Sequence, residues 1–264
     1  MNAPFIRTIT GFCHKTFVVA EFELRKLRHD FTELITRALQ PALWLLVFGQ
    51  VFARSNTMPT GGIPYLDFIA PGILAQSVLF VAIFYGINVI WERDLGIVQK
   101  FLVSPTPRAS LVLGKGLSAG VRTLSQAAVV YVLSLLLGVK LNWHPLALLN
   151  VVTIVVLATT LFSTFSLIIA CLVKTRERFM GIGQVLTMPM FFASNAIYPT
   201  AMMPNWLKVV SHLNPLTYVV DALRTTMLAD SSSLFGLTTD YVILFVTTTI
   251  LVLVGSRLYP RLGI

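Results

Sequence analysis

Gly114-Lys115-Gly116 sets a lysine between glycines, the residue types with which a phosphate loop holds a nucleotide. That loop needs G-x-x-x-x-G-K-[ST], so that backbone N–H groups cradle the phosphates and the hydroxyl holds magnesium. Here the leading glycine is absent at that spacing and Leu117 follows Gly116, so the chain is not expected to hydrolyse ATP. His14, His29, His144 and His212 show no metal-ligand spacing such as H-E-x-x-H. Cys13 and Cys171 cannot make a metal site between them and read as packing residues. His212 stands near Asp221 in sequence, but no serine nucleophile motif accompanies it, which argues against hydrolase chemistry.

The 11 Asp and Glu fall at the edges of apolar runs or in loops. Arg122 is the one charge inside a run, placed where its stem can snorkel to the interface. A carrier driven by protons or sodium needs ionisable or cation-binding groups deep in the membrane. An ion-coupled secondary transporter of a hydrophobic solute is therefore the weaker of two readings. The stronger one rests on two motifs and on the elements that must position them.

Those elements are membrane spans. The 264 residues are 56% hydrophobic and only 12% charged, with a mean hydropathy of +0.80. A soluble domain carries about 25% charged residues, so lipid must replace water around much of this surface. Apolar runs near the roughly 20 residues that cross a bilayer predict six helices: Leu39–Phe52 (extended back to Thr36), Phe68–Trp91, Leu117–Val139, Leu146–Val173, Met180–Tyr198 and Leu237–Leu258. Pro189 is expected to kink the fifth. The whole of 1–264 reads as one all-α membrane domain without a repeat, and the N-terminus does not have the pattern of a cleaved signal peptide.

With both termini inside, only Arg54, Lys140, Lys208 and Arg224 of the 20 Lys and Arg fall outside. That bias predicts cytoplasmic termini, and it accounts for the net charge of +9 without nucleic acid. Residues 18–38 repeat apolar positions at Leu24, Leu27, Phe31, Leu34 and Ala38, with charges on the other faces. This predicts an amphipathic helix on the inner membrane surface. It either anchors to lipid or docks a cytosolic partner through Glu21, Arg25, Lys26 and Arg28.

Residues 92–109 follow the second span. Glu92, Arg93 and Asp94 mark the membrane exit, Gly96 allows a turn, and Ile97, Phe101 and Leu102 give one face of a short helix that Pro105 and Pro107 end. Residues 199–230 are too polar to cross lipid and too apolar for an ordinary loop. Two half-helices broken at Asn214-Pro215 and dipping into the outer leaflet fit both facts; a folded loop on the membrane surface is the alternative. Asp221 and Arg224, three apart, are placed to pair and, with Asn214, Pro215 and Tyr218, to form an outer gate. Gly116 and Gly120 permit close helix contact. Gln76, Tyr85, Asn88, Phe191, Phe192 and Asn195 are candidates to line a substrate path.

Glu92-Arg93-Asp94-x-Gly96, then Leu102-x-Ser104-Pro105 and Leu113-Gly114-Lys115, resemble the cytoplasmic loop of the ABC transporter type-2 permease family. Asn214-Pro215-Leu216-Thr217-Tyr218-Val219-Val220-Asp221-Ala222-Leu223-Arg224 resembles the outer segment before the last span in its daunorubicin-resistance-type, multidrug-exporting members. The sequence departs from the family at Ile97 and Gln99, where members often have Thr and Glu. The resemblance implies a half-transporter: two permease chains, here identical, with two cytosolic ATPase subunits that carry ATP and magnesium. It also implies that residues 18–38 and 92–109 dock those ATPases. An amphiphilic small molecule, drug or lipid-like substrate would leave across a prokaryotic inner membrane.

Overall fold

The computed structural model describes residues 39–55, 62–103, 106–173, 175–229 and 231–263, together with Thr16, Val18, Glu21 and Thr60. Among them no strand forms, and the one piece of β geometry is an isolated antiparallel bridge between Leu141 and Leu228. Helix α1 occupies residues 39–55, widening to π geometry over Trp44–Gly49 before the α turns of Gln50–Ser55. Then come α2 (Tyr65–Asp94), α3 (Ile97–Leu102), α4 (Arg108–Leu136), α5 (Pro145–Leu172) and α6 (Arg176–Phe192). Two short helices, α7 (Asn205–Leu213) and α8 (Pro215–Met227), precede α9 (Leu237–Leu258) and a closing 3-10 turn, Tyr259–Gly263. Of the amphipathic N-terminal helix, Val18 and Glu21 are described; Arg25, Lys26 and Arg28 lie outside the described residues.

Among the described residues four helices are long and apolar enough to cross a membrane: α2, α4, α5 and Leu237–Leu262. The expected fifth span falls short. α6 has 17 residues, about 25 Å at 1.5 Å per residue, against a hydrocarbon core of about 30 Å. It ends at Phe192 instead of Tyr198 because Ser194 Oγ donates to Phe191 O (2.7 Å) and accepts from Ala196 N–H (3.3 Å), taking backbone groups that the helix would use. Pro189 lies within α6 and the helix continues past it. The third helix starts at Arg108, after Pro107, and not at Leu117. Lys115 broke the apolar run, yet it is buried with a partner, so the helix passes through it.

α5 is the central post, packed against α2, α4, α8 and α9. Gly116 and Gly120 let α4 approach it closely: a Cβ at Gly116 would stand 2.8 Å from Thr160 Cγ2, and one at Gly120 would stand 3.2 Å from Val156 Cγ1. α2 is clasped to α5 by Ser166, whose Oγ donates to Ile83 O and accepts from Gly86 N–H (3.1 Å). α2 and α5 are buried nearly all round, while α9 presents much of its surface outward.

Candidate functional site

At one end of the bundle α2 stops at Asp94 and Gly96 turns the chain at φ +69°, a left-handed conformation that glycine adopts without a Cβ penalty. The chain re-enters as α3. Val98 is its fully buried residue, in a cluster with Tyr259 and Leu262 of the C-terminal turn, while Ile97, Phe101 and Leu102 are half-buried. Gln99, Lys100 and Val103 stay exposed. Ser104 and Pro105 lie outside the described residues.

Glu92, expected at a partner contact, turns inward and forms a buried ion pair with Lys115 of α4. Lys115 Nζ also lies 5.8 Å from the centroid of the Phe101 ring. Two motif residues, Glu92 and Lys115, thus meet Phe101 in one clamp that fixes α3 beneath α2 and α4. A second tie runs sideways. Arg93 Nη1 donates to Val173 O (3.2 Å), and Arg176 Nη2 pairs with Asp94 at 2.7 Å. The Arg176 guanidinium lies 3.5 Å over the Trp91 ring, a cation–π contact. Trp91 and Arg176 were not singled out in the sequence. The available signal was the charge pattern: acidic Asp94 follows one apolar run, and the basic series Lys174-x-Arg176-x-Arg178 follows another.

At the opposite end, the break at Asn214-Pro215 forms as expected. Asn214 Oδ1 caps α8 by accepting from Leu216 N–H (3.0 Å), and its Nδ2 donates to Met190 O (2.6 Å). Pro215 fills the first helical position, where its missing N–H costs nothing. Tyr218 OH donates to His212 O (2.7 Å), closing the corner. α7 shows Trp206, Val209 and Leu213 to the outside, whereas α8 is sunk among α2, α5 and α9.

Asp221 and Arg224 do not bond one another among the described contacts. Arg224 Nη2 donates to Asn195 O (2.8 Å) and Phe68 O (3.4 Å), and its guanidinium stacks 3.9 Å over Phe68. Asp221 Oδ2 accepts from Ser233 Oγ (2.7 Å), Leu234 N–H (2.9 Å) and Phe235 N–H (3.1 Å). Backbone groups of two neighbouring segments claim the charges that i,i+3 spacing would join. Asp240 is also buried, with Oδ2 3.4 Å from Ser233 Oγ. Among the described residues four carboxylates, Asp67, Glu92, Asp221 and Asp240, are buried inside the protein, and of these Asp67, Glu92 and Asp240 stand near the ends of their helices. Asp221→Asn keeps an acceptor but removes the charge, and should lower stability by about 1 kcal/mol. Thermal unfolding in detergent checks this, and an unchanged melting point would mean that the turn at residues 233–235 holds without Asp221.

The six candidate path residues do not share one surface. Gln76, Phe191 and Asn195 are sealed inside, with Phe191 edge-on to Trp44 at 5.6 Å. Tyr85 OH lies 3.4 Å from Ser118 Oγ of α4, Asn88 is half-buried and Phe192 is exposed. Concavities do open among the described residues. A groove of about 850 Å³ between α4, α5 and α9 is lined by residues such as Leu117, Val156, Phe245 and Val246. A recess of about 240 Å³ lies between α1, α2 and α4. No group of His, Cys, Asp and Glu that could hold a metal occurs among the described residues. His144 instead caps α5, accepting from Leu146 N–H at 3.3 Å.

Residues 14–228 match the family described as ABC-2 type transporter. The chain belongs to that family. It is similar to a transport permease of Cyanophora paradoxa, ycf38, with 28% identity over 230 residues, 85% of this chain and 78% of the relative. The ycf38 protein of Porphyra purpurea is 26% identical over 196 residues, 72% of this chain and 66% of that protein. The daunorubicin resistance ABC transporter permease protein DrrB1 of Streptomyces coeruleorubidus is 24% identical over 200 residues, 76% of this chain and 70% of the relative. With its apolar helices, this ABC-2 permease is a multi-pass membrane protein.

Proposed function

We propose that the chain is the transmembrane subunit of an ATP-driven exporter that moves an amphiphilic small molecule, drug or lipid-like substrate out of a prokaryotic cell. A separate cytosolic ATPase supplies ATP and magnesium, and a second, identical permease chain completes the pathway. The observation that carries this reading is the clamped α3. It is a short helix held by Glu92, Lys115 and Phe101, with Gln99, Lys100 and Val103 left exposed. A rigid element of that kind can seat in a cleft of a moving ATPase and pass its motion to α2. ATP binding then shifts the pair of permeases between inward-open and outward-open states by favouring one of them. The charge bias supports a cytosolic position for the α3 end.

The test is a tagged pull-down from native membranes in mild detergent. A co-purifying ATPase in equal amount, with activity lost on mutating its phosphate loop, is expected. A chain that purifies alone even after crosslinking would overturn the reading.

A further inference from the structure

The recess between α1, α2 and α4 differs from the outer groove in what lines it. Gln40 comes from α1, Ser77, Phe80, Val81 and Phe84 from α2, and Gln126 from α4. Ser77 and Gln126 each sit 17 or 18 residues from the α3-side ends of their helices, about 26 Å along the axis at 1.5 Å per residue. Amide groups at that depth are expensive in lipid. Gln126 is only 3% exposed. Ser77 Oγ gives its proton to Ile73 O (2.9 Å) and so offers the recess an acceptor.

We propose that this recess binds an uncharged amphiphile: a ring-sized apolar body against Phe80, Val81 and Phe84, with carbonyl, hydroxyl or amide groups met by Gln40, Gln126 and Ser77. The chemistry follows from the lining. Among its described lining residues there is no Asp, Glu, Lys, Arg or His, and an ion entering against them would lose its hydration without a counter-charge from these side chains. Two carboxamides both donate and accept, which fits a neutral polar group in either sense. At about 240 Å³ the space is just under the roughly 300–1,000 Å³ of ligand pockets, so it takes one portion of a drug-sized molecule. Asn88, four residues after Phe84, continues the α2 stripe towards the α3 end. As a cargo site the recess rests on the permease reading.

The probe is benzophenone, which is neutral, carries two rings and one carbonyl, and inserts into nearby C–H bonds under light. The full chain in phosphatidylcholine nanodiscs is labelled over a range of probe concentrations and its peptides are mapped by mass spectrometry. Saturable labelling of Phe80–Phe84 and of Gln40–Pro41 is expected. Gln126→Leu, which removes the amide at nearly constant size, should weaken it about tenfold, and Val81→Phe should block it by filling the space. Two variants are used so that misfolding of either leaves the other to decide. Labelling that fails to saturate, follows Phe245 in the outer groove, or ignores both substitutions would overturn the site. The assay needs no ATPase. Failed labelling beside a co-purifying ATPase removes the site alone, and saturable labelling without one removes the exporter reading alone.

Discussion

Lys115→Met is expected to destabilise the folded chain by about 3–5 kcal/mol, because it leaves Glu92 ionised and buried without its partner. Lys115 is 1% exposed and Glu92 7%, so little solvent reaches either group. Replacing both, as Glu92→Leu with Lys115→Met, should recover most of the loss, since apolar residues of similar volume can substitute for a buried ion pair. Melting curves in detergent for the two singles and the double form a cycle that isolates the coupling. Additive effects would show that the pair does not act as one. The single Lys115 variant should also loosen α3, because it loses the cation over Phe101. A charge reversal at Glu92 would therefore measure folding, and docking is better probed at the exposed Gln99 and Lys100.

Gly72→Ala comes next, with an expected loss of about 2–3 kcal/mol, the upper part of the overpacking range. A Cβ there would stand 2.3 Å from Ala196 O and 2.9 Å from Ala196 C and Cα. These are backbone atoms, which cannot rotate away. The segment that would have to shift is the one Arg224 grips through Asn195 O. Gly181→Ala in α6 is the matched control, since a Cβ there meets nothing within 4 Å, and it should be neutral or slightly stabilising. Equal melting points for the two variants would mean that α2 and residues 193–199 are less tightly packed than the structure has them.

Much of the architecture was legible because apolar length and charge placement are strong local signals. Leu237–Leu258 was read with both ends correct, and Pro145–Leu172 to within a residue. Gly96 and Asn214-Pro215 announced their turns through backbone chemistry alone. What stayed hidden depends on partners distant in sequence. Lys115 interrupts an apolar run, and nothing local tells that Glu92, 23 positions earlier, neutralises it. Arg224 looked like a partner for Asp221 because spacing on one helix is visible and the carbonyls of Phe68 and Asn195 are not. The path candidates were scattered for a similar reason: a polar residue in a span is visible, but the helix it faces is not. Ser77 and Gln126 meet only through the packing of α2 beside α4.

α2 carries a further consequence. Phe68, whose carbonyl and ring hold Arg224, and Glu92, which pairs with Lys115, belong to one continuous helix of 30 residues that carries Pro71 in its first half, about 45 Å long. Rigid secondary elements are one route by which coupling travels. If α2 stays stiff through Pro71, a displacement of its α3 end reaches the Arg224 grip as a rocker arm carries a stroke across its pivot. The clasp of Ser166 on Ile83 and Gly86 lies between those two ends and is the natural fulcrum. No relay of side-chain switches is needed between the ends, so point substitutions along the flanks of α2 should alter how far it swings more readily than whether the two ends move together.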